Sequence, residues 1–451
     1  MIDRSLLTSL RAEEEARFIA ANPQSAAAAK ARAEHWHQGV PFHWMRDWPS
    51  PFPLVAASAA GATLTTIDGQ MLDDFCLGDT AAMFGHAPPP LVRAIAEQAE
   101  HGLGYMLPVE SVERVGALLA ERFGLPLWQV TTTASEANRA VIRWARAITG
   151  RDKILIFNGC YHGAVDDVFV DLRTGAAETR RSLVGQVYDI TQHTVVIEFN
   201  DFDALGAALA REDIACVLAE PVMTNVGMVL PQPDFLEEIR RLTQAHGTLL
   251  IWDETHTISS GWAGHSGTYG SAGDMMVIGK SIGGGVPCAV YGFTDDVAEA
   301  MIKARGKLPP GHSGIGTTLS ANALAITSME AMLGEVMTRD AYNHMLRLAV
   351  ELVDGVSTVI TRNALPWHVA NVGARVELIC TPAPPKNGSE ARAAMDHELE
   401  SLLHLMLTNR GSLLAPFHNM MLVSPVTGAE AVERVVASLD GFMQTLSELI
   451  L

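Results

Sequence analysis

The stretch TLLIWDETHTISSGWAGHSGTYGSAGDMMVIGKSIGGGVP, residues 248–287, holds two short apolar runs, each ending in a residue that carries charge. LLIW and MMVIG are apolar on both sides of the chain, the pattern of strands covered on both faces. The first run leads into Asp253 and Glu254, the second into Lys280 and the glycine-rich SIGGG. In open α/β sheets, ligands gather beyond the carboxyl ends of the strands. The two runs therefore predict a carboxylate and an amine at one edge of a sheet, in a cleft of low dielectric.

Working outward, KILIF (153–157), HTVVIEF (193–199) and IACVLAEPV (214–222) repeat the same apolar pattern, with helical stretches between them. One of these, DFLEEIRRLTQAHG (234–247), carries Asp234 as an expected N-cap, Glu237 three residues later and Gly247 past its end. This βαβ rhythm predicts an α/β domain with a largely parallel sheet. Before it, residues 3–37 read as a helical arm, and LVAASAAGATLTTIDGQMLDDF (54–75) reads as short strands turning at Asp68-Gly69. After about residue 325, long helices surround the runs ARVELICT and MMLVSP, which predicts a separate α+β domain.

Composition narrows the function classes. A hydrophobic share of 48% with 18% charged residues suits a compact soluble globule. A formal charge of −19 argues against nucleic acid and anionic membrane as partners. The cysteines (Cys76, Cys160, Cys216, Cys288, Cys380) show no CxxC spacing, so no metal site is indicated and buried reduced thiols are expected. The N-terminus, MIDRSLLTSLRAEEEARF, is charged too early for a signal peptide, and no apolar run reaches membrane-spanning length, so a cytoplasmic protein is expected.

The pairing of Asp253 with Lys280 suits an aldehyde cofactor with a pyridine ring. A desolvated lysine amine condenses with the aldehyde, and a carboxylate keeps the ring nitrogen protonated. VTTTASEANRAVIRWARAITG (130–150) adds a Thr/Ser-rich turn feeding a helix near Ser135, a place for a phosphate. With AEPVMTN (219–225), LLIWDETHT, GDMMVIGKSIGGGVP and GTTLSAN (316–322) in that order, the chain resembles the class III (omega) aminotransferase family, and most its glutamate-1-semialdehyde aminomutase branch.

The resemblance implies pyridoxal 5′-phosphate (PLP) as cofactor and the PLP fold type I: a large α/β domain with a mostly parallel seven-stranded sheet, and a small α+β domain from both termini. The expected bounds are 1–65 for the arm and part of the small domain, 66–325 for the large domain and 326–451 for the rest of the small one. It implies that Lys280 holds the cofactor as a Schiff base and shuttles the proton, that Asp253 pairs with the ring nitrogen, and that Tyr161 stacks on the ring with His162 beside it. Ala134 and Ser135 would serve the phosphate, and Thr318 that of a neighbouring subunit in a homodimer with shared sites. Thr255 would lie on the ring, with Asn225 and Glu220 near its edge.

Departures stand beside these matches. Thr255 replaces the family's usual Val, His256-Thr257 replaces the common Met-Thr or Gln-Thr pair, and Asp79 stands where an aromatic wall residue is usual. His43, Arg46 and Asp79 are the candidates for substrate contact. The expected activity is aminotransfer between an amine or amino acid and a carbonyl co-substrate, with an aminomutase or racemase as the alternative.

Overall fold

The computed structural model describes residues 4–309, 314–416 and 418–447. The chain divides into two compact units, one of Pro89–Arg339 with Pro385–Ala393, the other of the chain up to Pro88, Asp340–Pro384 and the part from Ala394 on. These bounds, after Pro88 and Arg339, replace those expected after residues 65 and 325. The reason is a long-range pairing: strand Met71–Asp74 runs parallel to Ser412–Leu413, with Asp73 opposite Ser412, which keeps residues 66–88 with the C-terminal segments.

The larger unit is built on a seven-stranded sheet. Its strands are β1 (Leu127–Thr131), β2 (Lys153–Phe157), β3 (Thr194–Ile197), β4 (Ile214–Ala219), β5 (Leu249–Asp253), β6 (Met275–Ile278) and β7 (Ala289–Phe293). Their order is β1-β7-β6-β5-β4-β2-β3, and only β7 runs antiparallel to its neighbours. Every residue of β4, β6 and β7 is buried, as expected of strands covered on both faces. Helix α1 (Ala134–Thr149) lays Ala137, Val141, Ile142 and Ala145 into the core beside Ile251, Met275 and Val277. Cys160 and Cys216 lie in the same core, Cys288 and Cys76 are buried elsewhere, and Cys380 is half-buried.

Helix α2 (Phe235–Ala245) forms where expected, but Asp234 does not cap it. Pro233 precedes Asp234, whose φ of 67° and ψ of −1° complete a type II turn closed by the Phe235 N–H on the Gln232 carbonyl. In that turn the Asp234 side chain makes no capping bond.

The smaller unit carries a four-stranded sheet (Ala56–Ala60, Thr63–Thr66, Met71–Asp74, Ser412–Leu413) and a three-stranded one (His368–Val372, Arg375–Ile379, Met420–Leu422). Its own core joins Leu7 of the arm to Leu348, Leu352, Leu402, Leu439 and Phe442. The arm is two helices rather than one, Arg4–Ala21 and Pro23–Arg32, because Pro23 lacks the N–H needed to continue a helix and instead opens the next one. Residue 3 of the expected arm lies outside the described residues.

Candidate active site

Strand register brings the chemistry-bearing residues to one edge of the sheet. Trp252 of β5 stands opposite Ala219 of β4, and Asp253 opposite Val277 of β6. Glu220 and Asp253 therefore stand level on adjacent strands, and Lys280 follows the next strand two residues past its end. Lys280 opens a 3-10 turn, Lys280–Gly283, with a φ of 51°. A non-glycine residue in that left-handed region costs about 1–3 kcal/mol and is held there by its surroundings. Just before it, a Cβ on Gly279 would stand 2.9 Å from the Ala134 Cβ, so only glycine lets the end of β6 press against the start of α1.

Asp253 is buried and multiply held. Its Oδ2 accepts from Asn138 Nδ2 at 2.8 Å and lies 2.9 Å from His162 Nδ1, while Oδ1 accepts from the Thr255 N–H at 3.1 Å. Burial alone would raise the pKa of this carboxyl, but the bond and charge of His162, with the donors Thr255 and Asn138, hold it at about 2. Burial opposes charging His162 as well; the neighbouring Cys160 sulfur and the bond to Asp253 outweigh it and lift His162 to about 10. The two form a buried ion pair.

The signs fix a pH window. A carboxyl depressed from 3.8 to about 2 contributes stability above 3.8 that fades as pH falls, and a histidine raised from 6.5 to about 10 contributes below 6.5 and loses that as pH rises. In cofactor-free protein, the gap in melting temperature between wild type and His162→Asn is expected to be largest between pH 4 and 6.5 and to shrink toward pH 10. A gap that stays constant with pH would remove the ion pair from the account.

The N-terminus of α1 faces this edge. Thr133 caps it by accepting from the Glu136 N–H, and the Glu136 carboxylate reaches back to the Thr132 N–H at 2.8 Å. Among the described residues no partner takes the N–H groups of Ala134 and Ser135, which point out of the helix start as anion donors do. The Ser135 hydroxyl accepts from the Ala164 N–H at 2.9 Å, and a Cβ on Gly163 would meet that oxygen at 2.2 Å. Thr132 and Thr317 hydroxyls lie 3.3 Å apart, with Thr318 exposed beside them. Tyr161 is 44% exposed, Asn225 is half-buried, and the Thr255 hydroxyl is buried with no hydrogen-bond partner among the described residues.

A second buried chain ends on the lysine. Lys280 Nζ lies 2.5 Å from His256 Nε2; His256 Nδ1 lies 2.6 Å from Thr224 Oγ1, which donates to Glu220 Oε2 at 2.5 Å. Neither Thr224 nor Asn138 stands out in the sequence, and His256 shows there only as a departure. The one available signal is position: Thr224 follows a strand end, and Asn138 sits one helical turn after Ala134. Glu254 plays a structural part, taking the Thr257 hydroxyl and the His265 and Ser266 N–H groups that begin helix α3 (Gly264–Tyr269).

The remaining candidates belong to the smaller unit. His43 and Arg46 are exposed, His43 with its ring 4.8 Å from that of Phe42 and Arg46 reaching the Gln38 carbonyl at 3.4 Å. Asp79 has a φ of 48° and neighbours a buried charged cluster in which Arg375 bonds the Thr80 hydroxyl and Glu377 pairs with His418 at 3.2 Å.

With this geometry in view, the model of the aminotransferase class-III family matches residues 45–426. The chain belongs to the class-III aminotransferase family. A glutamate-1-semialdehyde 2,1-aminomutase of Roseiflexus castenholzii is 33% identical over 369 residues, 81% of this chain and 83% of its own. Among solved structures, the chain is similar to a glutamate-1-semialdehyde-aminomutase from Pseudomonas aeruginosa PAO1, with a TM-score of 0.96, 47% identity and 99% of each chain covered. A lysine-to-alanine variant of a glutamate-1-semialdehyde-aminomutase from the same organism, in complex with PMP, is 46% identical with the same TM-score of 0.96 and 99% of each chain covered.

PLP is the cofactor of this class-III fold. The residues present fit it. Asp253 is anionic and keeps acceptor capacity on Oδ1 for a ring N–H, the α1 N-terminus offers backbone donors to a phosphate, and Thr255 offers a buried hydroxyl without a partner among the described residues.

Proposed function

We propose that the chain is an aminomutase of the glutamate-1-semialdehyde type, moving an amino group between neighbouring carbons of one small substrate. The observation that carries this is the 47% identity, over 99% of both chains, with a structure bearing that name. Sequence alone put aminotransfer between two molecules first; the named relatives favour what stood there as the alternative. Aminotransfer remains the second reading, on the strength of the family as a whole.

Bound PLP supplies a carbonyl carbon for an amine and an electron sink for the proton-transfer steps. Lys280 is the amine that anchors the cofactor and, once displaced, carries a proton at Nζ from one carbon to another. Asp253, kept ionised by His162, Asn138 and the Thr255 N–H, holds the ring nitrogen protonated. Ala134 and Ser135 bind the phosphate through their N–H groups, Tyr161 and Thr255 flank the ring, and Asn225 meets its edge. His43, Arg46 and Asp79 are the substrate-contact candidates. The working form is a homodimer in which Thr318, exposed on this chain, serves the partner's phosphate. A cytoplasmic location belongs to the same proposal; no described helix is long and apolar enough to cross a membrane.

PLP-loaded protein given glutamate-1-semialdehyde as sole substrate is expected to convert it over many turnovers with no keto acid added. If conversion stops after one equivalent per site and resumes on adding a keto acid, aminotransfer replaces this proposal.

A further inference from the structure

The chain Lys280–His256–Thr224–Glu220 has a direction. Glu220 is buried, and as a carboxylate it can only accept. Thr224 has one hydroxyl proton, and at 2.5 Å from Glu220 Oε2 that proton points to the carboxylate. Its lone pairs are then what faces His256 Nδ1 at 2.6 Å, so Nδ1 must carry the imidazole proton. In a neutral ring this leaves Nε2 as a bare acceptor, aimed at Lys280 Nζ. His256 Nδ1 also lies 3.6 Å from Glu220 Oε2, so the carboxylate's charge reaches the ring directly.

We propose that Glu220 and Thr224 fix His256 as a hydrogen-bond acceptor for the displaced Lys280 amine, making His256 the positioning residue that seats this amine. This rests on Lys280 being the cofactor lysine, and extends it. A displaced amine that carries a proton between carbons must be aimed, and an acceptor held by its own partners aims it. The same contact gives the flexible lysine stem one seat rather than many.

Other ionisable groups on the elements packed against the lysine turn are engaged elsewhere. Asp253 pairs with His162, and Glu254 is taken up by Thr257 and the α3 start. Cys288, just before β7, and Tyr291 within it are both kept neutral by burial, the thiol pushed up to about 12. Glu330 and Glu335 pair with Arg114 and Arg93.

The test uses full-length protein with and without PLP. In cofactor-free protein at fixed pH, the rate at which an amine-acylating reagent modifies Lys280, read by peptide mass, is expected to rise about tenfold in His256→Met and in Glu220→Gln, because each releases the amine from the hydrogen bond that holds it. His256→Gln is expected to restore the wild-type rate, since its carbonyl can accept from Nζ while its NH2 donates to Thr224. In loaded protein, kcat is expected to fall about ten- to a hundredfold in His256→Met with little change in KM, and to recover in His256→Gln.

A structural role alone would lower kcat without moving the acylation rate. Unchanged or slower acylation in His256→Met and Glu220→Gln overturns the proposal, and Glu220→Gln alone decides it if the methionine variant fails to fold. PLP should protect Lys280 from acylation in the wild type. Loss of that protection would count against Lys280 as the cofactor lysine, a separate failure.

Discussion

Lys280→Ala is expected to abolish turnover, with a loss of about four orders of magnitude or more, while leaving the fold intact. A positioned general acid–base contributes about 10²–10⁴ in rate, and here the same amine also anchors the cofactor. Among the described residues no other lysine follows a strand at this edge, so no second amine is placed to anchor the cofactor. The fold should tolerate the change because alanine meets the same left-handed backbone at φ 51° and the lysine side chain is only half-buried. Its melting temperature should stay within a few degrees of wild type. Borohydride treatment of wild-type protein should fix the cofactor to the peptide holding Lys280, and the variant should yield no such adduct. Turnover above a hundredth of wild type would mean that another group moves the proton.

How much of this was legible in the sequence depends on the range of the contact involved. LLIW and MMVIG declared themselves because a strand covered on both faces is apolar throughout, and the residue after such a strand is where chemistry collects. Strand β1, LWQVT, did not: its residues alternate between exposed and half-buried before Thr131, so its pattern is weak. Strand β7, AVYGF, is entirely buried, but a glycine within it and the glycine-rich turn before it disguise it.

The misplaced unit bounds have a related cause, since residues 66–88 are assigned by pairing with Ser412–Leu413 and no local period reports that. Within the site, Asp253 and Lys280 were visible from strand ends. The Asn138 and His162 contacts to Asp253 span separations of 115 and 91 residues and exist only through the sheet. His256 was visible as an oddity, but its function as an acceptor depends on Thr224 and Glu220 from the neighbouring strand's end. The Asp234 cap failed through a single preceding proline, a reminder that cap residues act only when the backbone aims them.

The second large effect is expected at Asp253, where two substitutions separate its two roles. Asp253→Ala removes the anion facing the ring nitrogen and also strips His162 and Asn138 of their shared acceptor. Breaking a buried ion pair by deleting one partner costs about 3–5 kcal/mol, because the other charge stays buried unpaired. The alanine variant should therefore melt well below wild type near neutral pH and lose about three orders of magnitude or more in kcat, on the scale seen when a preorganised electrostatic group is removed. Asp253→Asn keeps the shape, and its carbonyl can still accept from both His162 and Asn138, but the ion pair stays broken and the NH2 faces the Thr255 N–H, so stability should fall between alanine and wild type. Its NH2, however, can only donate, which presents the ring nitrogen with a donor in place of an anion and leaves that nitrogen unprotonated. The asparagine variant should thus fold, bind PLP and remain nearly inactive. Activity within tenfold of wild type in Asp253→Asn would show that the ring nitrogen needs no anionic partner here. Alanine and asparagine variants of equal stability would show that the hydrogen bonds from His162 and Asn138 contribute little to the fold.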